Sequence, residues 1–244
     1  MQPSQNARHA EFLKNLSISS LTSMQEEVVQ KAATTEDLLV LAPTGSGKTL
    51  SFLIPVIDKL NPASREVQAL IVAPSRELSL QIEQVLRSMK TSYKVSCVYG
   101  GHSVKIEQNS LSEAPAIIIG TPGRLADHIR RKSFDPSYIR LLVLDEFDKS
   151  LQMGFQEELK VVFAALNGRQ QHILTSATRL DPLPDLLPFK KIETLNYLKD
   201  EAESKLKLKL VNTRSVDKID TLLRLVAKFN QEVCSCVLQS PRCR

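Results

Sequence analysis

The sequence predicts an α/β fold in which helices cover both faces of a doubly wound, mostly parallel sheet. The first indication is that short apolar runs alternate with amphipathic helical patterns along most of the chain. The second is that these runs are almost wholly apolar, as expected for parallel strands buried on both faces. The composition, with 42% hydrophobic and 24% charged residues in 244 positions, is that of an ordinary globular protein and excludes the disordered and fibrous classes.

The predicted elements begin with two helices. The first is a short helix near residues 8–16, and the second opens at Thr22 and extends to about residue 33. Apolar runs then predict strands over 38–41, 69–73, 95–99, 116–119, 141–144 and 172–175, with 192–195 as a strand that could close the sheet. Helical spacing predicts helices from about residue 48, over 76–89, over 124–131 and over 156–166, and Pro55 is expected to kink the first of these.

The pattern changes after residue 188. Predicted elements continue with a strand over 205–210, a helix over 216–229 and an apolar run over 233–238. We therefore predict a first domain over residues 1–195, a linker over 196–204 and the incomplete beginning of a second α/β domain over 205–244. Cys234, Cys236 and Cys243 near the end lack the spacing of zinc ligands and are expected to be reduced thiols.

Charge and hydropathy narrow the class of partner only partly. The net charge of +5 permits a polyanion partner without requiring one. The N-terminal residues lack the apolar core of a secretory signal, and no stretch approaches the ~18 apolar residues of a membrane span. We therefore expect a cytoplasmic or nuclear protein that is not secreted and has no membrane partner.

Residues 42–49 read Ala-Pro-Thr-Gly-Ser-Gly-Lys-Thr directly after a predicted strand, an order typical of a phosphate-binding loop. Glycines permit backbone turns that let successive N–H groups point inward as a cradle for phosphate oxygens. Lys48 can then reach the β- and γ-phosphates, and the Thr49 hydroxyl can bind Mg²⁺. The alternative is a plain glycine turn. The nucleotide-binding candidates of the loop are Thr44, Gly45, Ser46, Gly47, Lys48 and Thr49.

A second motif, Asp145-Glu146-Phe147-Asp148, follows the strand predicted at 141–144. Asp145 at the strand tip can hold Mg²⁺, directly or through water, opposite Thr49. Its neighbour Glu146 is placed to orient and deprotonate an attacking water. An exposed acidic turn is the alternative, and the phosphate loop earlier in the chain favours the catalytic interpretation.

Ser176 and Thr178 follow the next predicted strand, so their hydroxyls should lie beside the acidic motif at the neighbouring strand end. Together with Asp148 they could couple the state of the nucleotide to another site. A simple helix cap is the alternative, because Ser and Thr are common at turns from strand to helix.

Three further segments fall at strand ends on the same edge of the predicted sheet. They are Pro74 to Leu78 with Arg76, the pair Gly100 and Gly101, and the run Thr121, Pro122, Gly123 and Arg124. Arginines supply cations, glycines expose backbone N–H groups, and a helix beginning at Thr121 favours anions at its N-terminus. Such a row suits a sugar–phosphate backbone, although each segment alone could be an ordinary loop.

Together these segments resemble the DEAD-box family of ATP-dependent RNA helicases over roughly residues 20–195, the family's first RecA-like domain. The resemblance implies a RecA-like P-loop fold, ATP and Mg²⁺ as cofactors, and the RNA backbone as the partner of a monomeric RNA-dependent ATPase. It also implies that Thr22 and Gln25 form the adenine-reading Q motif. The other motifs correspond to the family's nucleotide, metal, coupling and RNA-contacting motifs.

Several residues depart from the family pattern. Phe147 replaces the usual Ala, Ser75 stands where Thr is usual, and Leu21 stands where Pro is usual. The aromatic residue that stacks on adenine in the family has no clear counterpart, since Phe12 is too close to Gln25 in the sequence. Because the carboxylates of the acidic motif are retained, we expect its chemistry to remain possible.

In the family, a second RecA-like domain supplies arginines to the phosphates and half of the RNA-binding surface. The sequence ends at Arg244, so we expect that domain to be missing and the isolated chain to be nearly inactive. Truncation, a natural fragment and an altered reading frame are all compatible with this ending. The leading hypothesis is the ATP-binding, RNA-contacting half of an RNA helicase. The alternatives are a nucleotide-dependent RNA- or protein-binding module without turnover and a related domain acting on DNA.

Overall fold

The computed structural model describes residues 3–101, 103–166, 170–180, 182–189, 192–198, 219, 221 and 223–224. The chain divides into two compact units, residues 1–198 and 199–244. The sequence predictions for the second unit lie outside the described residues, apart from helical positions at 219, 221 and 223–224. The predicted domain boundaries therefore stay a prediction.

Seven strands form one sheet in the first unit. They are β1 (Asp37–Leu41), β2 (Ala69–Val72), β3 (Val95–Val98), β4 (Ile117–Gly120), β5 (Leu141–Leu144), β6 (Gln171–Ser176) and β7 (Glu193–Asn196). Their order is β3-β4-β2-β5-β6-β1-β7, and every neighbouring pair is parallel. This confirms the predicted fold class, and the strand predicted to close the sheet is β7, paired with β1.

Helices connect the strands, and two of them were not predicted. The helices are α1 (Pro3–Asn15), α2 (Ser23–Ala32), α3 (Lys48–Lys59), α4 (Arg76–Ser88), α5 (Val104–Leu111), α6 (Pro122–Arg130), α7 (Phe147–Gln152) and α8 (Gln156–Ala165), with a 3₁₀ turn at Pro136–Tyr138. Sequence analysis missed α5 and α7 because both are short, with eight and six residues. Neither is long enough to show a clear helical repeat of apolar residues.

The core is split into two layers by the sheet. Alternate residues of β1 show this division, since Leu38 and Val40 pack into one apolar cluster, and Leu39 and Leu41 into the other. The first cluster includes residues of α1 to α4, and the second includes residues of α6, α7 and α8. Both faces are thereby covered, which explains why the strands are continuous apolar runs.

Because all strands run in one direction, their carboxyl ends lie along one edge of the sheet. The loops that follow β1, β5 and β6 are neighbours there, and so are the loops that follow β2, β3 and β4. We call these groups the β5-β6-β1 side and the β3-β4-β2 side. Within the described part of the chain, no helix combines the length and the apolar character needed to span a membrane.

Candidate functional site

The loop between β1 and α3 has the backbone of a phosphate cradle. Gly45 and Gly47 have φ values of 79° and 85°, in the left-handed region that favours glycine. A Cβ atom on Gly47 would lie 2.5 Å from Gln25 Nε2, so a side chain there would displace the Gln25 amide. The hydroxyl of Ser46 is buried and has no hydrogen-bond partner among the described residues. The loop therefore holds a polar atom that a ligand could satisfy.

Lys48 is the first residue of α3 and is 7% exposed. Its Nζ donates to the carbonyl oxygens of Ala42 at 2.6 Å and Pro43 at 2.9 Å. Burial lowers the pKa of the ammonium, while the carboxylates of Asp145 and Glu146 act to raise it. The cation is thus held within the loop by backbone carbonyls and in the electrostatic field of the acidic motif. Anionic phosphate oxygens are a stronger partner for it than neutral carbonyls.

The two predicted adenine-reading residues are joined to the phosphate loop. Thr22 caps α2: its hydroxyl accepts from Gln25 N, and Gln25 Oε1 accepts from Thr22 N. The other end of the same amide reaches the loop, since Gln25 Nε2 donates to Gly47 O at 3.1 Å. Phe12 is 4% exposed and packs in the core, in keeping with its exclusion as the adenine-stacking aromatic.

Asp145 follows β5 and is 3% exposed. Its Oδ1 accepts from Thr175 Oγ1 at 2.5 Å and from Glu146 N at 3.1 Å. Burial raises the pKa of this carboxyl to about 6, although the Thr175 hydrogen bond opposes the shift. Thr175 was not among the predicted site residues. The strand pairing could have revealed it, because Leu144 registers with Leu174 and the next residues therefore lie side by side.

Glu146, the predicted base, has a left-handed backbone with φ 47°, which is unfavourable for a residue with a side chain. Its Oε2 forms an ion pair with Lys149 Nζ at 2.7 Å. The carboxylate that would accept a proton from water is therefore occupied by an ammonium group. A base role requires the carboxylate to turn away from Lys149.

A hydrogen bond joins the acidic motif to the loop after β6. Thr178 Oγ1 donates to Asp148 Oδ2 at 2.9 Å, as expected for residues on neighbouring strand ends. Ser176 does not take part, because its hydroxyl donates instead to Thr178 O at 2.6 Å. Phe147 is fully buried in the second core cluster, which accommodates the side chain that replaces the usual Ala. The coupling role assigned to these residues stays a prediction.

The side chains on this side of the edge fit a Mg²⁺ ion that is shared with a nucleotide. No group of three or more His, Cys, Asp or Glu side chains that could hold a metal lies within the described residues. Mg²⁺ commonly binds through one or two protein oxygens together with phosphate oxygens and water. Asp145, directly after β5, and the half-buried Thr49, in the first turn of α3, carry oxygen atoms of that kind.

The β3-β4-β2 side presents backbone groups and the exposed cation of Arg76. Ser75 caps α4 by accepting from Leu78 N at 3.2 Å, and Arg76 is exposed with its guanidinium 4.9 Å from the centre of the Tyr99 ring. Gly100 and Gly101 are exposed as well. Pro74 is buried and supports the loop rather than facing outward.

Thr121 is the N-cap of α6, with Pro122 as the first helical residue, so the predicted helix N-terminus is confirmed. Gly123 follows within the first turn. Arg124 differs from Arg76, since its side chain is only 12% exposed. Its Nε donates to Tyr99 O at 3.2 Å and lies 3.2 Å from Glu107 Oε2. The structure thus brings the predicted RNA-contacting segments together but gives Arg124 partners within the protein.

Comparison with known proteins decides the family. The model of the DEAD/DEAH box helicase family matches residues 22–184. The chain belongs to this family. It is 34% identical over 228 residues to the ATP-dependent RNA helicase CshA of Listeria monocytogenes and 31% identical over 226 residues to the DEAD-box ATP-dependent RNA helicase CshA of Bacillus subtilis. These matches cover 88% of this chain and 42% and 44% of the two relatives.

A solved structure supports the same assignment. The crystal structure of a DEAD box protein from Methanococcus jannaschii matches with a TM-score of 0.65 and 33% identity, over 69% of this chain and 47% of the other. The chain therefore spans less than half of the length of these relatives. The resemblance to DEAD-box proteins and the RecA-like fold are confirmed, whereas the individual site residues stay predictions.

Proposed function

We propose that this chain is the ATP-binding and RNA-contacting domain of an ATP-dependent RNA helicase. Together with a second RecA-like domain it would couple ATP hydrolysis to the unwinding or remodelling of RNA duplexes. The observation that carries the proposal is that the phosphate loop and the buried Asp145 follow β1 and β5, which flank β6. Family membership, and relatives named as ATP-dependent RNA helicases, support ATP as the nucleotide and RNA as the polymer.

The nucleotide would bind on the β5-β6-β1 side. Strands in a sheet lie about 4.8 Å apart, so the ends of β1 and β5 leave roughly 10 Å for phosphates and a cation. Backbone amides of residues 45–47 and the ammonium of Lys48 would hold the phosphates, and Thr49 and Asp145 would hold Mg²⁺. The metal would supply charge neutralisation on the phosphate oxygens. Glu146, released from Lys149, would orient the attacking water and accept its proton.

RNA would lie along the β3-β4-β2 side. The exposed Arg76, the amides of Gly100 and Gly101 and the N-terminus of α6 offer cationic and N–H groups to phosphates. Few side chains there can read bases, so binding should depend on the backbone and on salt. Arg124 is either a further phosphate contact or a structural residue.

The proposal also covers the domain boundaries, the activity of the isolated chain, its oligomeric state and its location. The domain would comprise residues 1–195, followed by a linker over 196–204 and the beginning of a second RecA-like domain over 205–244. A full second domain would supply arginine across the cleft, which is typically worth about 10³- to 10⁵-fold in rate. The isolated chain should therefore hydrolyse ATP very slowly and should not unwind duplexes. We propose a monomer that acts in the cytoplasm or nucleus.

The test is ATP turnover by the chain with single-stranded RNA and a separately supplied second RecA-like domain. Restored RNA-stimulated hydrolysis supports the enzyme. No turnover despite ATP binding supports the alternative of a nucleotide-dependent binding module, which the Glu146–Lys149 ion pair favours because it occupies the predicted base. The same assay with single-stranded DNA distinguishes an RNA-dependent enzyme from one acting on DNA.

A further inference from the structure

Glu107 on α5 belongs to none of the predicted motifs, yet its carboxylate contacts two segments on the β3-β4-β2 side, the loop after β3 and the helix α6. It is only 4% exposed. Its Oε1 accepts from Tyr99 N at 3.1 Å, and its Oε2 accepts from His128 Nε2 at 2.8 Å. Arg124 Nε lies 3.2 Å from the same Oε2. The carboxylate thus connects the residue after β3 with the first and last turns of α6.

Burial of this carboxylate needs such partners. A carboxylate removed from water carries a large desolvation cost unless it is paired and hydrogen-bonded. Glu107 meets both conditions, with a backbone N–H, a fully buried imidazole and a guanidinium around it. Loss of any one donor would leave charge or a polar group buried without compensation. Each of these contacts therefore helps to keep the Glu107 carboxylate in place.

Tyr99 is the residue on which the network acts. Its N–H donates to Glu107, its carbonyl accepts from Arg124 Nε at 3.2 Å, and its ring lies under the Arg76 guanidinium. The next two residues are Gly100 and Gly101, and Gly101 has a left-handed φ of 93°. The direction in which these glycine amides point is therefore set by a backbone fixed from both sides.

We propose that Glu107 is a positioning residue for the RNA-contacting edge and that Arg124 is a strut inside the protein instead of a phosphate contact. The inference rests on the proposed RNA-binding function of this edge. Arg124 braces the loop after β3 against α6, and Glu107 holds Arg124 in that position. The phosphate-contacting cation of these two arginines is Arg76, which is exposed while Arg124 is mostly covered.

Salt dependence separates a strut from a phosphate contact. Each phosphate neutralised on a single strand contributes about 0.7 to the slope of log affinity against log salt. Binding of a fluorescein-labelled polyuridine RNA to the chain is measured by anisotropy over a series of KCl concentrations. Arg76→Met should reduce the slope by about 0.7.

Arg124→Met should lower affinity by a similar factor at every salt concentration, on the order of 10-fold, with the slope unchanged. Arg87→Met, which removes an exposed arginine from the far end of α4, is the matched control.

Glu107 variants test whether the two residues act together. Glu107→Gln keeps one acceptor oxygen but turns an NH₂ group towards a donor, so it should weaken RNA binding without changing the salt slope. Combined with Arg124→Met, it should cause a smaller loss than the product of the two single losses, because both changes break the same network. A slope reduced by Arg124→Met as much as by Arg76→Met, or multiplicative losses in the double variant, would overturn the proposal.

A measurement without RNA keeps this inference separate from the proposed function. Amide hydrogen exchange of Tyr99 should accelerate in Glu107→Gln and in Arg124→Met, because its backbone loses a partner in each case. Unchanged exchange in both variants would overturn the proposal that Glu107 and Arg124 hold the loop after β3 against α6. If the parent chain binds no RNA at any salt concentration, the proposed RNA function of this edge fails, whereas the exchange result still decides whether Glu107 fixes Tyr99.

Discussion

The two sides of the strand-end edge place their charged side chains differently. On the β5-β6-β1 side, Lys48 and Asp145, which are assigned to phosphate and metal, are buried at 7% and 3% exposure, although the glycines of the phosphate loop are exposed. On the β3-β4-β2 side, the assigned phosphate contact Arg76 is exposed, and so are Gly100 and Gly101. There the buried polar residues, Glu107 and His128, lie behind the surface.

This difference follows from what each side would bind. Charges interact more strongly in a dry environment, so chemistry on a small anionic group gains from buried, fixed side chains. A long polymer backbone needs donors that are accessible along its length, and it gains less from any one of them. The β5-β6-β1 side is therefore expected to respond steeply to single substitutions, and the β3-β4-β2 side mildly.

Glu146→Gln should have the largest effect, and it should act on ATP turnover alone. The amide retains the shape of the side chain but cannot accept the proton of water, so RNA-stimulated turnover in the presence of the second domain should fall by about 10²- to 10⁴-fold. Binding of ATP and RNA should be almost unchanged. Steady-state phosphate release and equilibrium titrations measure the two effects, with the exposed Glu157→Gln as control. Turnover at the parent rate would remove Glu146 from the chemistry.

Lys48→Ala should weaken ATP binding by roughly 100-fold or more, because it removes the cation that compensates phosphate charge. RNA binding without nucleotide should be unaffected, since the lysine lies on the other side of the edge. Isothermal titration calorimetry with ATP and Mg²⁺ measures the loss, and the exposed Lys160→Ala is the control. ATP binding as tight as that of the parent would exclude the phosphate-binding role.

Asp145→Asn should stabilise the protein in the absence of nucleotide and metal. Burial raises the pKa of Asp145 to about 6, whereas an Asp in an unfolded chain titrates near 3.9. The native state therefore binds more protons than the unfolded state between these values, and the contribution of Asp145 to stability falls as pH rises through that window. At pH 8 the substitution should raise the free energy of unfolding by about 2 kcal/mol, and the gain should shrink towards pH 4.

Urea unfolding in EDTA across this pH range measures that gain, with the exposed Asp185→Asn as control. A gain of the same size at every pH would mean that the buried charge is not its source. A loss of stability at pH 8 would mean that the hydrogen bonds from Thr175 and Glu146 to the carboxylate outweigh its desolvation.

The sheet could be predicted from the sequence because its strands are buried on both faces and therefore consist of apolar runs. The sequence was also sufficient to predict the phosphate loop, where the positive φ of Gly45 and Gly47 favours glycine. The contact between Thr178 and Asp148 followed from placing two motifs on neighbouring strand ends. Local pattern and parallel topology together were enough for these features.

Other features depend on tertiary packing and could not be predicted. A Glu in the middle of a short helix usually faces solvent, so nothing local marked Glu107 as a buried network centre. Phe147 departs from the family pattern, and only the core cluster around it explains how it is accommodated. The ion pair of Glu146 with Lys149 is different, because it is local. Its i, i+3 spacing is that of a helical pair, so the sequence alone could have indicated it.

Gln25→Ala should have the smallest effect. It tests whether this residue of the β5-β6-β1 side recognises adenine or only supports the phosphate loop. The substitution removes the acceptor for Thr22 N and the donor to Gly47 O, so the free energy of unfolding should fall by about 1 kcal/mol. If Gln25 reads the adenine edge, affinity for ATP should fall more than affinity for GTP. If it only braces the phosphate loop, both nucleotides should weaken equally. We expect the first result, with RNA binding unchanged.

Gln25→Glu separates these two roles further. Its carboxylate keeps the acceptor for Thr22 N but places an oxygen against Gly47 O, so the cap should survive while the brace is lost. Gln30→Ala, an exposed glutamine on the same helix, is the matched control for changes in helix stability. Competition titrations with ATP and GTP on all three variants compare the losses. Equal losses in Gln25→Ala and Gln25→Glu for both nucleotides would assign Gln25 to the phosphate loop alone, and the selectivity for adenine would then have to come from other residues.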